Sequence, residues 1–419
     1  MSEDLKQVPV GDLHCQRNTF AREFTTTCIS CSEKPDKKGF YQVKLYDTIL
    51  FPEGGGQPSD TGFIDDIKVH NVQRQKLAHI HYTKQPIQVG KQVHLTVDWT
   101  RRWDHVQQHS GQHLLSAVMD QAPYNIETVS WNMGEKRCYI ELPTGTVKVD
   151  LTPELLAKVE SDVNKLIVKN LKVITHVQEA DHEDTERPAS LPADYVGGGI
   201  IRTIEIEGLD KNPCCGTHVE SLGQLQCLKI LHTENVRGGN TRIFFLFGQR
   251  VLDTLDVSYT ISRQLNALLT CPPENFVDNV DKLQKQSKEN LKKAKRLLES
   301  LAVYTVNDVE AALKEKPFAI VYKDDADMDF LSMVANVMRD RKVLEEGAEK
   351  VVILAAGEKN VGGPIVITGG NNDIVQTTGK IVSSVLSGVK GGGKGRWQGK
   401  AQNWKGMENL EQALEQLQA

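Results

Sequence analysis

Trp99-Thr-Arg-Arg-Trp-Asp-His105-Val-Gln-Gln-His109-Ser-Gly-Gln-His113-Leu-Leu-Ser-Ala-Val118 places three histidines at steps of four residues. Four residues of α-helix turn through about 400°, so side chains at this spacing stack on one face, one turn apart. Asp98 or Thr100 can cap the start, Pro123 lies just past the end, and Leu114, Leu115 and Val118 give the turn after His113 an apolar side. Only Gly111 disfavours a helix within the run. The stretch reads as a rigid helix on which His109 and His113 can share one metal ion. The plainer alternative is a pair of hydrogen-bonded surface or core histidines.

A second cluster, Asn212-Pro-Cys-Cys-Gly-Thr-His-Val219, contains Cys214, Cys215 and His218. Pro213 and Gly216 make it a turn or loop, whose ligands would close over the helical pair from the other side. Two histidines from the helix with a cysteine and a histidine from the loop form a plausible zinc set. Buried thiols and a turn-capping histidine remain the alternative. Upstream, Phe51-Pro-Glu-Gly-Gly-Gly-Gln-Pro-Ser-Asp-Thr-Gly62 sets Gly54, Gly55 and Gly56 in a row. Three glycines let a backbone approach a ligand or expose N–H groups, or simply make a tight turn.

These residues carry a family resemblance. His109-Ser-Gly-Gln-His113-Leu-Leu resembles the first zinc motif of the alanyl-tRNA synthetase editing domain, and Cys214-Cys-Gly-Thr-His218-Val its second, Cys-x-x-x-His. Phe51 to Gly62 is similar to the glycine-rich motif of the same family. No P-loop is present, and the chain before the glycine-rich motif is too short for an adenylate-forming domain. From about residue 20 onward the chain resembles a free-standing alanyl-tRNA editing protein of the AlaX type, in a long form with a C-terminal domain.

The resemblance implies hydrolysis of the ester joining a wrong amino acid to the 3′ end of tRNA(Ala). The noncognate residue is chiefly serine, with glycine second. One Zn2+ per chain would be held by His109, His113, Cys214 and His218, Cys215 being the alternative to Cys214. A catalytically silent tRNA- or protein-binding relative that keeps a structural zinc is the competing expectation.

Selection follows an asymmetric physical rule. A pocket built around alanine cannot exclude glycine by size and rejects serine poorly, whereas polar groups waiting for a hydroxyl reject alanine strongly. Thr48, Gln57 and Gln112 are the candidates for reading the substrate or placing a water. His105, a turn before His109, is a candidate to orient a ligand.

Composition bounds the remainder. The 419 residues suggest two to four domains, and 39% hydrophobic with 25% charged residues describe an ordinary globular chain. No apolar run approaches the roughly 20 residues of a membrane span, and the N-terminus lacks a signal-peptide pattern, so a cytoplasmic protein is expected. Eight scattered cysteines read as thiols or ligands, and Cys28-Ile-Ser-Cys31 lacks a second pair to complete an all-cysteine zinc site. A net charge of −5 means that a tRNA must meet local basic patches.

The fold class expected is α+β and multidomain. An N-terminal β-barrel carrying the glycine-rich motif (1–97) precedes a mixed α/β zinc-containing editing domain (98–250), a helical linker (251–304) and a C-terminal α/β domain (305–419) resembling that of alanyl-tRNA synthetase. Barrel strands are expected at Phe40–Tyr46, Thr48–Phe51, Phe63–Val69, Leu77–Tyr82 and Val93–Val97. His79 and His81 alternate, hence face one side, as a solvated or hydrogen-bonded pair. Tyr195-Val-Gly-Gly-Gly199 reads as a turn bordering the pocket. Residues 277–301 carry a heptad seam opposite a lysine-rich face, a possible route to a homodimer, as is the C-terminal domain. The loop from Val389 to Gln402 holds Lys390, Lys394, Arg396 and Lys400 among glycines with Trp397, and Lys405 and Trp404 follow. It resembles the glycine-rich tRNA-binding loop of the synthetase's C-terminal domain, although Trp-Gln follows the arginine where the family usually has Pro-Asp.

Overall fold

Between residues 23 and 97, six strands each carry buried, mostly apolar side chains, and a sheet with one largely apolar face can bury that face by closing on itself. In the computed structural model, which describes residues 6–179, 200–386 and 388–416, these strands do close into a barrel. A short helix α1 (His14–Arg17) precedes β1 (Glu23–Cys31), β2 (Tyr41–Leu45), β3 (Gly62–Ile64), β4 (Ile67–Gln75), β5 (Ala78–Thr83) and β6 (Gln92–Val97), and the order round the barrel is β1-β2-β5-β4-β3-β6. Cys28, Val43, Leu45, Ile64, Val72 and Leu95 fill the interior.

Two expected strands differ. Residues 48–51 join no ladder, because side chains take their backbone donors: Asp47 Oδ1 accepts from Thr48 N (2.7 Å), Thr48 Oγ1 from Leu50 N (2.9 Å) and Asp60 Oδ2 from Phe51 N (2.7 Å). The run 63–69 is a hairpin, β3 and β4, turned at Asp65 with φ 49°. Cys28 and Cys31 lie on β1 as free thiols.

Helix α2 (Trp99–Asp120) starts as expected, with Asp98 accepting from Arg101 N. It is buried on most sides, Leu114, Leu115 and Met119 packing into one core with Ile140, Leu222, Phe245 and Phe247. Burial on this scale explains Gly111: a Cβ there would occupy the Phe247 ring. Arg102 binds α2 to the barrel, its guanidinium paired with Asp60 and donating to the carbonyls of Thr19 and Ile49, with no exposed surface on either charged group.

Around α2 lie β7 (Ser130–Met133), β8 (Cys138–Leu142), α3 (Thr144–Val147), α4 (Pro153–Lys169), β9 (Val173–Glu179), β10 (Ile200–Ile206), β11 (Asp210–Pro213), β12 (Leu228–Val236) and β13 (Asn240–Phe247), followed by α5 (Gln249–Leu269). They form a β11-β10-β9 sheet and a β12-β13-β8-β7 sheet. Thr152 caps α4 by accepting from Leu155 N, with Pro153 in its first turn. Residues 195–199 lie outside those described.

The chain falls into two units, Met1–Gln264 and Leu265–Ala419. The second starts in the last residues of α5 and continues as α6 (Phe276–Glu315), β14 (Phe318–Lys323), α7 (Met328–Asp340), β15 (Val351–Ala356), β16 (Gly363–Gly369), α8 (Asn372–Val385), β17 (Lys390–Gly392), β18 (Arg396–Ala401) and α9 (Met407–Glu415). Its five-stranded sheet runs β14-β15-β16-β18-β17, with only β14 and β15 parallel. Helices α6 and α7 cover one face, α8 and α9 the other. In α6, buried residues begin at Ala302, while Val277, Val280, Leu291, Leu298 and Leu301 of the expected seam are exposed.

Candidate metal centre

Helix α2 and the loop after β11 bring four side chains together. His109, His113, Cys214 and His218 offer ligand atoms that all lie within 4.8 Å of one another, and among the described residues they are the one such group. Cys214 Sγ stands 3.4 Å from His109 Nε2 and 3.2 Å from His218 Nε2. A tetrahedral ion with bonds of about 2.3 Å to sulfur and 2.0 Å to nitrogen separates those atoms by about 3.5 Å, so the spacing fits. One thiol and three imidazoles, with no carboxylate, suit zinc and do not suit calcium or magnesium.

Neighbouring groups set the tautomers. Gln57 Oε1 stands 2.9 Å from His109 Nδ1 and also accepts from Thr217 N, while Gln57 Nε2 donates to Thr217 Oγ1 at 2.8 Å. An amide oxygen only accepts, so His109 carries its proton on Nδ1 and turns the Nε2 lone pair to the centre. Ser110 Oγ accepts from Val219 N at 3.0 Å and lies 3.2 Å from His218 Nδ1, which fixes the orientation of the His218 ring and leaves its Nε2 toward the centre. Gly216 admits this packing, because a Cβ there would overlap the His109 ring.

Burial holds His109 and His218 well below the ordinary histidine pKa and pushes His113 down to about 4. The imidazoles are therefore neutral, the form that binds a metal. Burial also pushes the Cys214 thiol up to about 12, so a metal must drive its proton off on binding.

The centre opens into a cavity of about 980 Å³. His113 and Cys214 are its partly exposed ligands, and Gly54 and Gly55 form part of its wall. Glu53, Asp120, Glu127 and Asp210 outnumber Arg74 and Arg202 in the lining, which leaves carboxylates suited to an ammonium group. Arg202 donates to the carbonyls of Cys214 (3.1 Å), Gly216 (2.6 Å) and Gln16 (3.2 Å), pinning the loop that carries the two distal ligands. Gln16 Nε2 donates to the Cys215 carbonyl, and Cys215 lies outside the four-residue group.

The remaining sequence candidates separate. Gln112 lines the cavity, Gln57 stands behind His109, and Gly56 packs against Trp131, which a Cβ would approach to 2.6 Å. Thr48 is elsewhere, its hydroxyl 2.9 Å from His81 Nε2. His79 and His81 do share one side; both are fully buried rather than solvated, and His81 meets the hydrogen-bonded alternative through Thr48. His105 Nδ1 is buried without a hydrogen-bond partner among the described residues and orients no ligand. In the second unit Lys390 and Lys394 are exposed and Arg396 is half-buried. Trp397 and Trp404, however, are core residues rather than surface aromatics.

Sequence reading missed Ser110, Thr217, Arg202 and Trp131. Ser110 and Thr217 sit inside the motifs, where alternation with the ligands could have marked them as supports. Arg202 in mid-strand and Trp131 gave no signal before the chain was folded.

Comparison with known proteins agrees with this geometry. Residues 201–244 match the family described as the Threonyl and Alanyl tRNA synthetase second additional domain. The alanyl-tRNA editing protein Aarsd1 of Rattus norvegicus is 40% identical over 92% of this chain and 93% of its own length. The putative alanyl-tRNA editing protein alaX of Saccharomyces cerevisiae is 32% identical over 96% and 95%. The alanine–tRNA ligase of Pyrococcus furiosus is 28% identical over 90% of this chain, a region that covers 40% of the ligase. With the glycine-rich motif on a barrel, the histidine pair on a buried helix and near-full-length identity to these relatives, the chain belongs to the family of alanyl-tRNA editing proteins.

Proposed function

We propose that this chain is a trans-acting hydrolase that removes wrongly attached amino acids from tRNA(Ala), chiefly serine and also glycine. The observation that supports it most is the convergence of four neutral donors at the edge of a cavity large enough for an aminoacyl group and the terminal nucleoside. His109, His113, Cys214 and His218 would hold one Zn2+. A Zn2+ bound there acts as a Lewis acid toward the ester carbonyl or anchors the substrate amine.

The chain's own residues do the rest. Gln57 holds His109 in the tautomer that faces the centre, and Ser110 holds the His218 ring in orientation. The carboxylates of the lining attract the aminoacyl ammonium, and Gly54 and Gly55 let the terminal nucleoside approach the backbone. Water adds to the ester carbonyl carbon; the bond to the ribose oxygen breaks, and that oxygen leaves with a proton. Lys390, Lys394 and Arg396 are proposed to meet the tRNA backbone in the second unit, and the uncovered α6 seam to join two copies of the chain.

The test is release of serine from Ser-tRNA(Ala), with Ala-tRNA(Ala) alongside, by protein of measured zinc content. Rapid loss of serine with alanine spared is expected. No turnover by zinc-loaded protein that still retains tRNA would replace the hydrolase with a binding module.

A further inference from the structure

Beyond the four-residue group, α2 carries a second set of polar side chains into the cavity. Ser116 follows His109 by seven residues, so it returns to the same helix face about 10 Å further along the axis, one turn past His113. Ser116 Oγ accepts from Gln112 Nε2 at 2.9 Å and from Thr128 Oγ1 at 2.8 Å. All three residues line the cavity.

The hydrogen bonds around Ser116 do not close. A serine oxygen has two lone pairs and one hydrogen. Both lone pairs are taken, and among the described residues no acceptor receives the hydrogen. On the same amide that donates to Ser116, Gln112 Oε1 is buried and has no partner among the described residues. A buried carbonyl in this state bears its full desolvation cost unless a ligand supplies a hydrogen. The wall thus offers one spare donor, with an unpaired acceptor just beneath the surface beside it.

We infer that Ser116 and Gln112, braced by Thr128, read the side-chain hydroxyl of the aminoacyl group. One hydroxyl accepts from Ser116 O–H, and a small rotation of the Gln112 side chain brings its buried Oε1 within reach of that hydroxyl's own hydrogen. Turning the amide over exchanges the spare groups: Gln112 then holds the spare N–H at the buried position, and Ser116 Oγ has a free lone pair. A hydroxyl satisfies that arrangement equally, because it is both donor and acceptor. The methyl of an alanyl group leaves both wall groups unpaired, and a glycyl group offers nothing to them. A site built to bond a hydroxyl rejects the analogue lacking it, by up to about 10⁴- to 10⁵-fold in the strongest cases. This inference rests on the aminoacyl-tRNA reading above and assigns its selectivity to α2 and Thr128 rather than to the metal ligands.

Two measurements on full-length, zinc-loaded protein test it. In deacylation, Ser116→Ala is expected to lower the ratio of kcat/KM for Ser-tRNA(Ala) over Gly-tRNA(Ala) by about 10- to 100-fold, and Thr128→Val by less, with zinc content retained in both. An equal loss on both substrates, or an unchanged ratio, overturns the inference. In calorimetry, non-hydrolysable 3′-seryl and 3′-alanyl amide analogues of adenosine are compared. Tighter seryl binding by the natural sequence, abolished in Ser116→Ala, supports the inference; equal affinity for the two overturns it. If the natural sequence hydrolyses neither aminoacyl-tRNA yet prefers the seryl analogue, the hydrolase reading fails and the hydroxyl reader stands.

Discussion

Two groups of buried histidines lie in the same unit and share a charge state for the same reason. In the barrel, burial pushes His79 down to about 4 and His81 to about 3; at the metal centre it pushes His113 to about 4 and holds the other two well below the ordinary histidine value. What separates them is convergence. His81 Nε2 is taken up by the Thr48 hydroxyl in a closed apolar barrel. His109 and His218 instead have their Nδ1 atoms engaged by Gln57 and Ser110, which leaves both Nε2 atoms beside the Cys214 sulfur. A neutral buried imidazole is thus ordinary packing until neighbours aim its free lone pair at a shared point. Gln57 and Thr48, both candidates from sequence, fall on opposite sides of that distinction.

The contrast breaks most sharply at a ligand. His109→Ala should leave the barrel folded, remove bound zinc and lower deacylation about a thousandfold; zinc analysis and a single-turnover assay check it, and full activity in the metal-free protein would end the metal-centred reading. Gln57→Leu, which releases His109 without touching the centre, should weaken zinc affinity about 10- to 100-fold, read by chelator competition. If affinity holds, the tautomer argument is wrong.

On the barrel side, Thr48→Val should cost about 1–3 kcal/mol in urea unfolding, since it leaves His81 Nε2 and Leu50 N unpaired, while kcat/KM on Ser-tRNA(Ala) stays put. The smallest effect is a slope. His81 has a depressed folded-state pKa, so the unfolded chain takes up its proton first. Its contribution is fully present above about pH 6.5 and is lost as pH falls toward about 3, at roughly 1 kcal/mol per unit. Unfolding measured at pH 7 and pH 5 should show His81→Gln losing less stability than the natural sequence; parallel losses would mean that the imidazole is not buried neutral.

Much of the site was legible locally. Helix α2 could be read from its cap, its apolar turn and the spacing of four, and Pro213 with Gly216 marked a loop. The barrel was legible as a class, although Thr48 to Phe51 looked like a strand because its β-branched and aromatic residues do not reveal that Asp47 and Asp60 capture the backbone donors. Trp397 and Trp404 looked like partners for RNA bases beside their lysines. The sheet buried them, because α8 and α9 cover that face. His105 kept the spacing of four, but its Nδ1 meets no hydrogen-bond partner among the described residues.

By itself, the sequence determined which atoms can bind a metal, which segment is a helix and which family pattern the motifs follow. Donor chemistry and helical periodicity are properties of residues within a few positions of each other. Only the tertiary structure decided that Cys214 rather than Cys215 joins the histidines, that Gln57 sets a tautomer while Thr48 serves the barrel, and that Ser116 retains a spare hydrogen beside Gln112. Each of those outcomes depends on a hydrogen bond or a packing contact with a segment remote in the chain, and such contacts are fixed when the barrel, α2 and the loop after β11 compete for the same buried space.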